Sequence, residues 1–193
     1  MKNRLLKSLM LMCLVSLFAS CVQTDMYELY DDDGTELLSP RKKGTKDIEG
    51  MAVQYTCGIH CLSYISGKSL YKVGQAAIAN GIDPHNTPLT AAELIRISGS
   101  IEGGGCNFTG YVEYLVNGHD NRAAIVSLLN GWGGNKISVI VNINGHYVVG
   151  EKVDKKENKK TGEIKYYLET YDPQTGGSGY YKTNDSSIRA VIY

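Results

Sequence analysis

Three chemically reactive side chains follow one another along the chain in an order that suits nucleophilic catalysis. Cys57 stands where a predicted helix begins, His146 follows the turn signal Asn144-Gly145, and Asp172 precedes Pro173. A nucleophilic thiol needs a base that accepts its proton, and the imidazole needs a third group that fixes its tautomer. We therefore interpret Cys57 as the nucleophile, His146 as the general base and Asp172 as its orienting partner.

Each of the three residues also has an ordinary structural explanation. A histidine after a hairpin turn is often a surface residue, and Asp-Pro opens many turns. Cysteine frequently serves as a small buried apolar residue. The order of Cys57, His146 and Asp172 is more specific than any one of them, so we keep the catalytic interpretation.

The position of Cys57 at a helix start adds to this interpretation. The positive end of the helix macrodipole favours a thiolate there, and free N–H groups can hold the oxyanion that forms when a thiolate attacks a carbonyl. The backbone N–H of Cys57 is therefore a predicted oxyanion-hole donor. Cys61 lies one turn deeper and is interpreted as structural. Cys106 follows three glycines in a loop and could reach Cys61, so Cys61–Cys106 is a candidate disulfide, although sequence alone does not pair the two cysteines.

Apolar periodicity and capping signals predict helices in the first half of the domain. They run from about Cys57 to Ser66, from Ser69 to Asn80, from Thr90 onward with Glu93 completing a capping box, and from Asn121 to Asn130. His60 lies inside the first helix and is expected to point away from Cys57.

Strand composition dominates after Trp132. The predicted strands are Lys136 to Ile143, His146 to Val153, Glu163 to Tyr171, Gly179 to Lys182 and Ile188 to Tyr193, with an exposed lysine-rich loop from Asp154 to Gly162. Helices followed by an antiparallel sheet predict an α+β domain.

The N-terminus is typical of an exported protein. A basic tip precedes an apolar run, Leu9 to Phe18, that is too short to span a bilayer as a helix. Phe18-Ala19-Ser20-Cys21 resembles a lipobox, which predicts a signal peptide over residues 1–20 and lipid on Cys21. An ordinary signal peptide with a chance cysteine is the alternative.

Residues 21–50 are polar, carry charge in blocks and lack apolar periodicity, so they predict a flexible tether ahead of one domain over residues 51–193. Such a chain would be anchored to a membrane of the cell envelope through its lipid, with the outer membrane or cell surface favoured.

The charge balance excludes some function classes. Removing residues 1–20 takes three of the 20 basic residues and none of the 20 acidic ones, which leaves 17 against 20. No basic stripe suited to nucleic acid remains. Cys57, His60 and Cys61 lack a fourth metal ligand, so neither a metal nor another cofactor is expected.

Four strings of the sequence resemble motifs of the papain-like cysteine peptidases. They are Cys57-Gly58-Ile59-His60-Cys61-Leu62, Val139-Ile140-Val141-Asn142, Gly145-His146-Tyr147-Val148-Val149 and Tyr171-Asp172-Pro173-Gln174. The likeness is greatest to the double-glycine leader peptidases and the papain-fold toxin domains, and it covers roughly Val53 to Ile192. It implies a papain-like fold in which these Cys, His and Asp residues form the triad.

The sequence departs from that family at the oxyanion hole. Those peptidases usually carry a glutamine about six residues before the nucleophile, where this chain has Met51, and the nearby glutamine is Gln54. Either Gln54 supplies the donor from a bulged segment or the hole is weaker. Such a donor is worth about 3 kcal/mol of transition-state stabilisation.

Three functions remain open at this point. The first is a peptidase or amidase that forms a thioester with a peptide or protein substrate. The second is a glutamine deamidase or transglutaminase on the same fold, which the string Asp172-Pro173-Gln174-Thr175-Gly176 would permit. The third is an inactive surface lipoprotein that binds a peptide or protein, since the chain has 14 tyrosines against 2 phenylalanines and tyrosine suits adhesive surfaces. No feature of the sequence indicates the oligomeric state.

Overall fold

The structure, a computed structural model, describes residues 57–83 and 88–193. The predicted signal peptide, the lipidation site Cys21, the predicted tether and the candidate oxyanion donor Gln54 lie outside the described residues. These remain predictions from the sequence.

The described residues form four helices and eight strands. In chain order they are α1 Cys57–Ser66, α2 Leu70–Ala79, α3 Ala91–Ser100, β1 Tyr111–Glu113, β2 Leu115–Val116, β3 His119–Asp120, α4 Arg122–Gly131, β4 Asn135–Ile143, β5 His146–Glu157, β6 Ile164–Tyr171, β7 Ser178–Lys182 and β8 Ile188–Ile192. The mixture of helices with an antiparallel sheet confirms the predicted α+β class. None of these helices is long and apolar enough to cross a membrane.

The capping signals in the sequence account for where two of the helices begin. The side chain of Ser69 accepts the N–H of Lys72 before α2. Thr90 Oγ1 accepts the N–H of Glu93, whose carboxylate accepts the N–H of Thr90 at 2.7 Å. This reciprocal pair is the predicted capping box, which satisfies backbone donors that a helix start leaves free.

Six strands form the main sheet in the order β1-β8-β4-β5-β6-β7, and β2 pairs with β3 separately. All the pairings are antiparallel. The predicted turn between β4 and β5 is present, since Asn144 and Gly145 have φ values of 50° and 90°. These left-handed conformations suit Asn-Gly in a two-residue hairpin, and Ile143 pairs with His146 across it.

Helices cover both faces of this sheet. A first core cluster joins α1, α2 and α3 to one face and includes Ile59, Leu62, Leu94, Ile97, Ile140 and Val149. A second core cluster joins α4 to the other face and includes Ile125, Leu129, Val139, Val141, Leu168 and Val191. Neighbouring residues on β4 belong to different clusters because successive side chains of a strand point to opposite faces.

Two parts of the predicted layout need correction. Strands β1, β2 and β3 lie before α4, so the helices do not all precede the sheet. These strands have only two or three residues, too few to show an alternating pattern. The predicted loop from Asp154 to Gly162 is also shorter, because β5 continues to Glu157 and pairs there with Ile164. Lysines on this exposed strand extension gave it a loop-like composition.

Candidate active site

Cys57 is the first residue of α1 and is half-buried beside the first core cluster. The N–H groups of the first helical turn have no partner within the helix, so they are available to an anion near the thiol. Gly58, the next residue, allows the start of α1 to pack closely against α3. A Cβ at Gly58 would lie 2.7 Å from Cδ2 of Leu94 on α3, so the glycine permits the close approach.

His146 and Asp172 meet at the end of the sheet where β5 begins and β6 ends. Val149 on β5 pairs with Tyr171 on β6, which brings the two strand ends together. His146 Nε2 lies 2.9 Å from Asp172 Oδ2, and the two side chains are 31% and 14% exposed. The pair is therefore shielded from water on most sides.

The side chain of Cys57 lies close enough to that of His146 to affect its pKa. Because Nε2 faces Asp172, Nδ1 is the ring nitrogen left for the sulfur of Cys57. The hydrogen bond with Asp172 and then the interaction with Cys57 raise the pKa of His146 to about 10, although burial acts in the opposite direction. His146 is therefore cationic at neutral pH, and this charge lies beside the side chain of Cys57.

Asp172 is held by the turn that follows it. Its Oδ2 accepts the hydroxyl of Thr175 at 2.7 Å, and its Oδ1 accepts the N–H of Gln174 at 2.9 Å. The turn closes through backbone hydrogen bonds from Asp172 N–H to Gly177 and from Gly176 N–H to Asp172. Gly176 has a φ of 76°, which glycine adopts without strain. The residues that follow Asp172 thus form a turn that holds its carboxylate in place.

These contacts keep Asp172 ionised. Burial raises its pKa, but hydrogen bonds from His146 and Thr175 outweigh burial, so the pKa lies below its ordinary value of 3.8. An ionised carboxylate at this position both orients the imidazole and stabilises its positive charge.

Two neighbours on α1 complete the surroundings of the triad. His60 lies within electrostatic range of Asp172, yet burial lowers its pKa from 6.5, so it is neutral at neutral pH. Cys61 is fully buried, and burial, followed by its proximity to Cys57, raises the pKa of its thiol well above the usual value. Cys61 is therefore a poor nucleophile, in agreement with a structural role.

The candidate disulfide between Cys61 and Cys106 is not formed in the structure, in which both are free thiols along with Cys57. Cys61 packs inside the first core cluster as a small apolar residue, and Cys106 is half-buried against the same cluster. Burial raises the pKa of the Cys106 thiol as well. Both thiols thus differ from Cys57, which has a cationic histidine beside it.

Sequence reasoning missed one residue that holds Asp172 and one that lies near Cys57. Thr175 was noted only as part of the sequence that follows Asp172. Its position three residues after Asp172 is the feature that could have predicted the hydrogen bond from its hydroxyl to the Asp172 carboxylate. Tyr147 is 7% exposed in the first core cluster, with Cys57 nearby, and it pairs with Asn142 on the neighbouring strand β4. Burial raises its pKa to about 12, so its hydroxyl stays protonated.

In residues 57–83 and 88–193, no group of three or more His, Cys, Asp or Glu side chains could hold a metal ion. No family model, curated protein or solved structure matches the chain. What the site can do is therefore argued from the geometry of Cys57, His146 and Asp172.

Proposed function

We propose that this protein is a papain-like cysteine peptidase or amidase that cleaves a peptide or protein substrate through a thioester on Cys57. The observation that carries the proposal is that His146, which is hydrogen-bonded to Asp172 at 2.9 Å, also interacts with the side chain of Cys57. A helix that presents the thiol and a sheet that presents the histidine and the carboxylate are the arrangement expected of a papain-like domain.

The first half of the reaction breaks the amide bond. The thiolate of Cys57 attacks the carbonyl carbon, and the oxyanion that develops is stabilised by free N–H groups at the start of α1. His146 then transfers the Nδ1 proton to the amide nitrogen as the carbon–nitrogen bond breaks. An amine leaves, and the acyl group remains on the sulfur as a thioester.

The second half of the reaction restores the enzyme. His146, now neutral, accepts a proton from a water molecule that attacks the thioester carbonyl, and the carbon–sulfur bond breaks. A carboxylic acid leaves, and the thiolate–imidazolium pair re-forms. Asp172 holds the imidazole in one tautomer throughout, which keeps Nδ1 directed at the sulfur.

The two alternatives from the sequence receive less support. A glutamine deamidase or transglutaminase would share the first half-reaction, but the Asp172–Gly176 string that suggested it is accounted for by the hydrogen bonds that fix Asp172. A binding protein without chemistry would not need a cationic His146 beside Cys57. The hydrolase is therefore the function that we propose.

The proposal includes export and lipid anchoring at Cys21, with the domain carried on a tether in the cell envelope. Cells that express the full chain should incorporate an alkyne-tagged palmitate into it, and Cys21→Ser should abolish incorporation. Equal incorporation in the two proteins would contradict lipidation at Cys21.

A peptide library tests the proposed reaction directly. The purified protein is incubated with the library and the products are identified by mass spectrometry, with Cys57→Ala as the matched control. Cleavage by the wild type that is absent from Cys57→Ala, and that the thiol-directed inhibitor E-64 blocks, is the expected result. Equal product formation by the two proteins would refute the role of Cys57.

A further inference from the structure

Tyr64 stands out as a large aromatic residue that the catalytic chemistry does not use. It lies on α1 seven residues after Cys57, and positions seven apart share one side of a helix. Its side chain is 40% exposed, so its role in filling the core is limited.

The ring of Tyr64 packs against the residue that precedes Asp172. Its centroid lies 4.9 Å from that of Tyr171, with an angle of 43° between the ring planes. Tyr171 is only 9% exposed and ends β6. Aromatic contacts of this geometry are favourable beyond the apolar area that they bury. This contact joins α1 to the strand end that carries Asp172.

The hydroxyl of Tyr64 joins α1 to the strand that carries His146. It donates a hydrogen bond of 2.6 Å to Oε1 of Glu151 on β5, five residues after His146. This hydrogen bond, together with burial, raises the pKa of Tyr64 to about 12, so the phenol stays protonated and the bond persists at neutral pH.

We propose that Tyr64 is a positioning residue that sets the separation between Cys57 and His146. A single side chain on the helix of Cys57 contacts both the strand of His146 and the neighbour of Asp172. The inference rests on the proposed function, because it assigns Tyr64 a part in the same triad. Displacing a reacting group by about 1 Å can lower a rate on the order of 100-fold, so a tie between the elements has kinetic consequences.

The rate at which iodoacetamide labels Cys57, measured by mass spectrometry across a pH series, tests the inference. Tyr64→Ala should lower the labelling rate near neutral pH on the order of 10- to 100-fold and should move the rise of the profile to higher pH, because the thiolate–imidazolium pair weakens. Tyr64→Phe keeps the ring contact with Tyr171 but loses the hydrogen bond to Glu151 on the strand of His146, so it should lower the rate by less than Tyr64→Ala does. Tyr71→Ala removes a 68% exposed tyrosine from α2 and should match the wild type.

The thermal unfolding midpoint of each variant separates positioning from general stability. If folded Tyr64→Ala labels with the same pH profile as the wild type, the inference is overturned, whether or not its thermal unfolding midpoint is lower. The proposed function would then remain intact. Slow labelling of Cys57 in the wild type itself overturns the proposed function. If Tyr64→Ala does not fold, Glu151→Ala carries the same test, with Glu151→Gln as the control that keeps an acceptor oxygen.

Discussion

His146 Nε2 and Asp172 Oδ2 lie 2.9 Å apart although 26 positions separate the two residues in the chain. The antiparallel pairing of β5 with β6 creates this proximity, since His146 begins the first strand and Asp172 directly follows the second. The same imidazole also interacts with the side chain of Cys57 at the start of α1. Helix, strand and turn thus each contribute one of the three side chains of the candidate triad.

The His146–Asp172 pair predicts a pH window of stability. Because the folded pKa of His146 is raised from 6.5 to about 10, its stabilising contribution is complete below pH 6.5 and is lost as the pH rises through about 10. The pKa of Asp172 lies below 3.8, so its contribution is present above pH 3.8 and is lost as the pH falls through its folded pKa.

Urea unfolding of wild type and His146→Gln across this pH range measures the effect. We expect the difference in the free energy of unfolding between them to be greatest between pH 3.8 and 6.5 and to shrink towards pH 10. A difference that stays constant from pH 6.5 to pH 10 would show that folding does not raise the pKa of His146.

Thr175→Val tests how the turn holds Asp172. The variant removes the hydroxyl that donates to Asp172 Oδ2 at 2.7 Å and keeps nearly the same side-chain volume. We expect a loss of about 1 kcal/mol in the free energy of unfolding and a slower labelling of Cys57, because a less constrained carboxylate orients His146 less well. Thr109→Val at another exposed position is the control. Labelling as fast as in wild type would exclude an orienting role for Thr175.

Gly58→Ala tests the close approach of α1 to α3. The added methyl group would lie 2.7 Å from Leu94, which is fully buried, so we expect a loss of about 1–3 kcal/mol in the free energy of unfolding. Gly99→Ala is the matched control, because its Cβ would meet nothing closer than 3.7 Å and alanine favours a helix by about 1 kcal/mol. Equal midpoints for the two variants in urea unfolding would contradict this account.

Local chemistry explains which parts of the fold were predictable. The capping box of Thr90 with Glu93 and the Asn144-Gly145 turn are specified by a few adjacent residues, and both are present as predicted. Strands β1 to β3 depend instead on partners; Tyr111, for example, pairs with Ile192, which is distant in sequence. A run of two or three residues contains no periodicity from which such a pairing could be inferred.

The candidate site divides in the same way. The order of Cys57, His146 and Asp172 in the sequence was enough to nominate them, because helix starts and strand ends are marked by local signals. Their mutual distances follow from the register of β5 on β6 and from the packing of α1, which composition does not encode. The contact of Tyr64 with Tyr171 and Glu151 also crosses between elements, so nothing in the sequence pointed to it.

The central claim is that Cys57 and His146 form a reactive thiolate–imidazolium pair, and a brief pulse of iodoacetamide near neutral pH tests it most directly. Cys61 and Cys106 serve as internal controls, because burial raises the pKa of both thiols. Mass spectrometry should find rapid labelling confined to Cys57 in the wild type. In His146→Ala the labelling rate of Cys57 should fall by a factor of about ten or more. Slow labelling of Cys57, or labelling that does not change in His146→Ala, would contradict the claim.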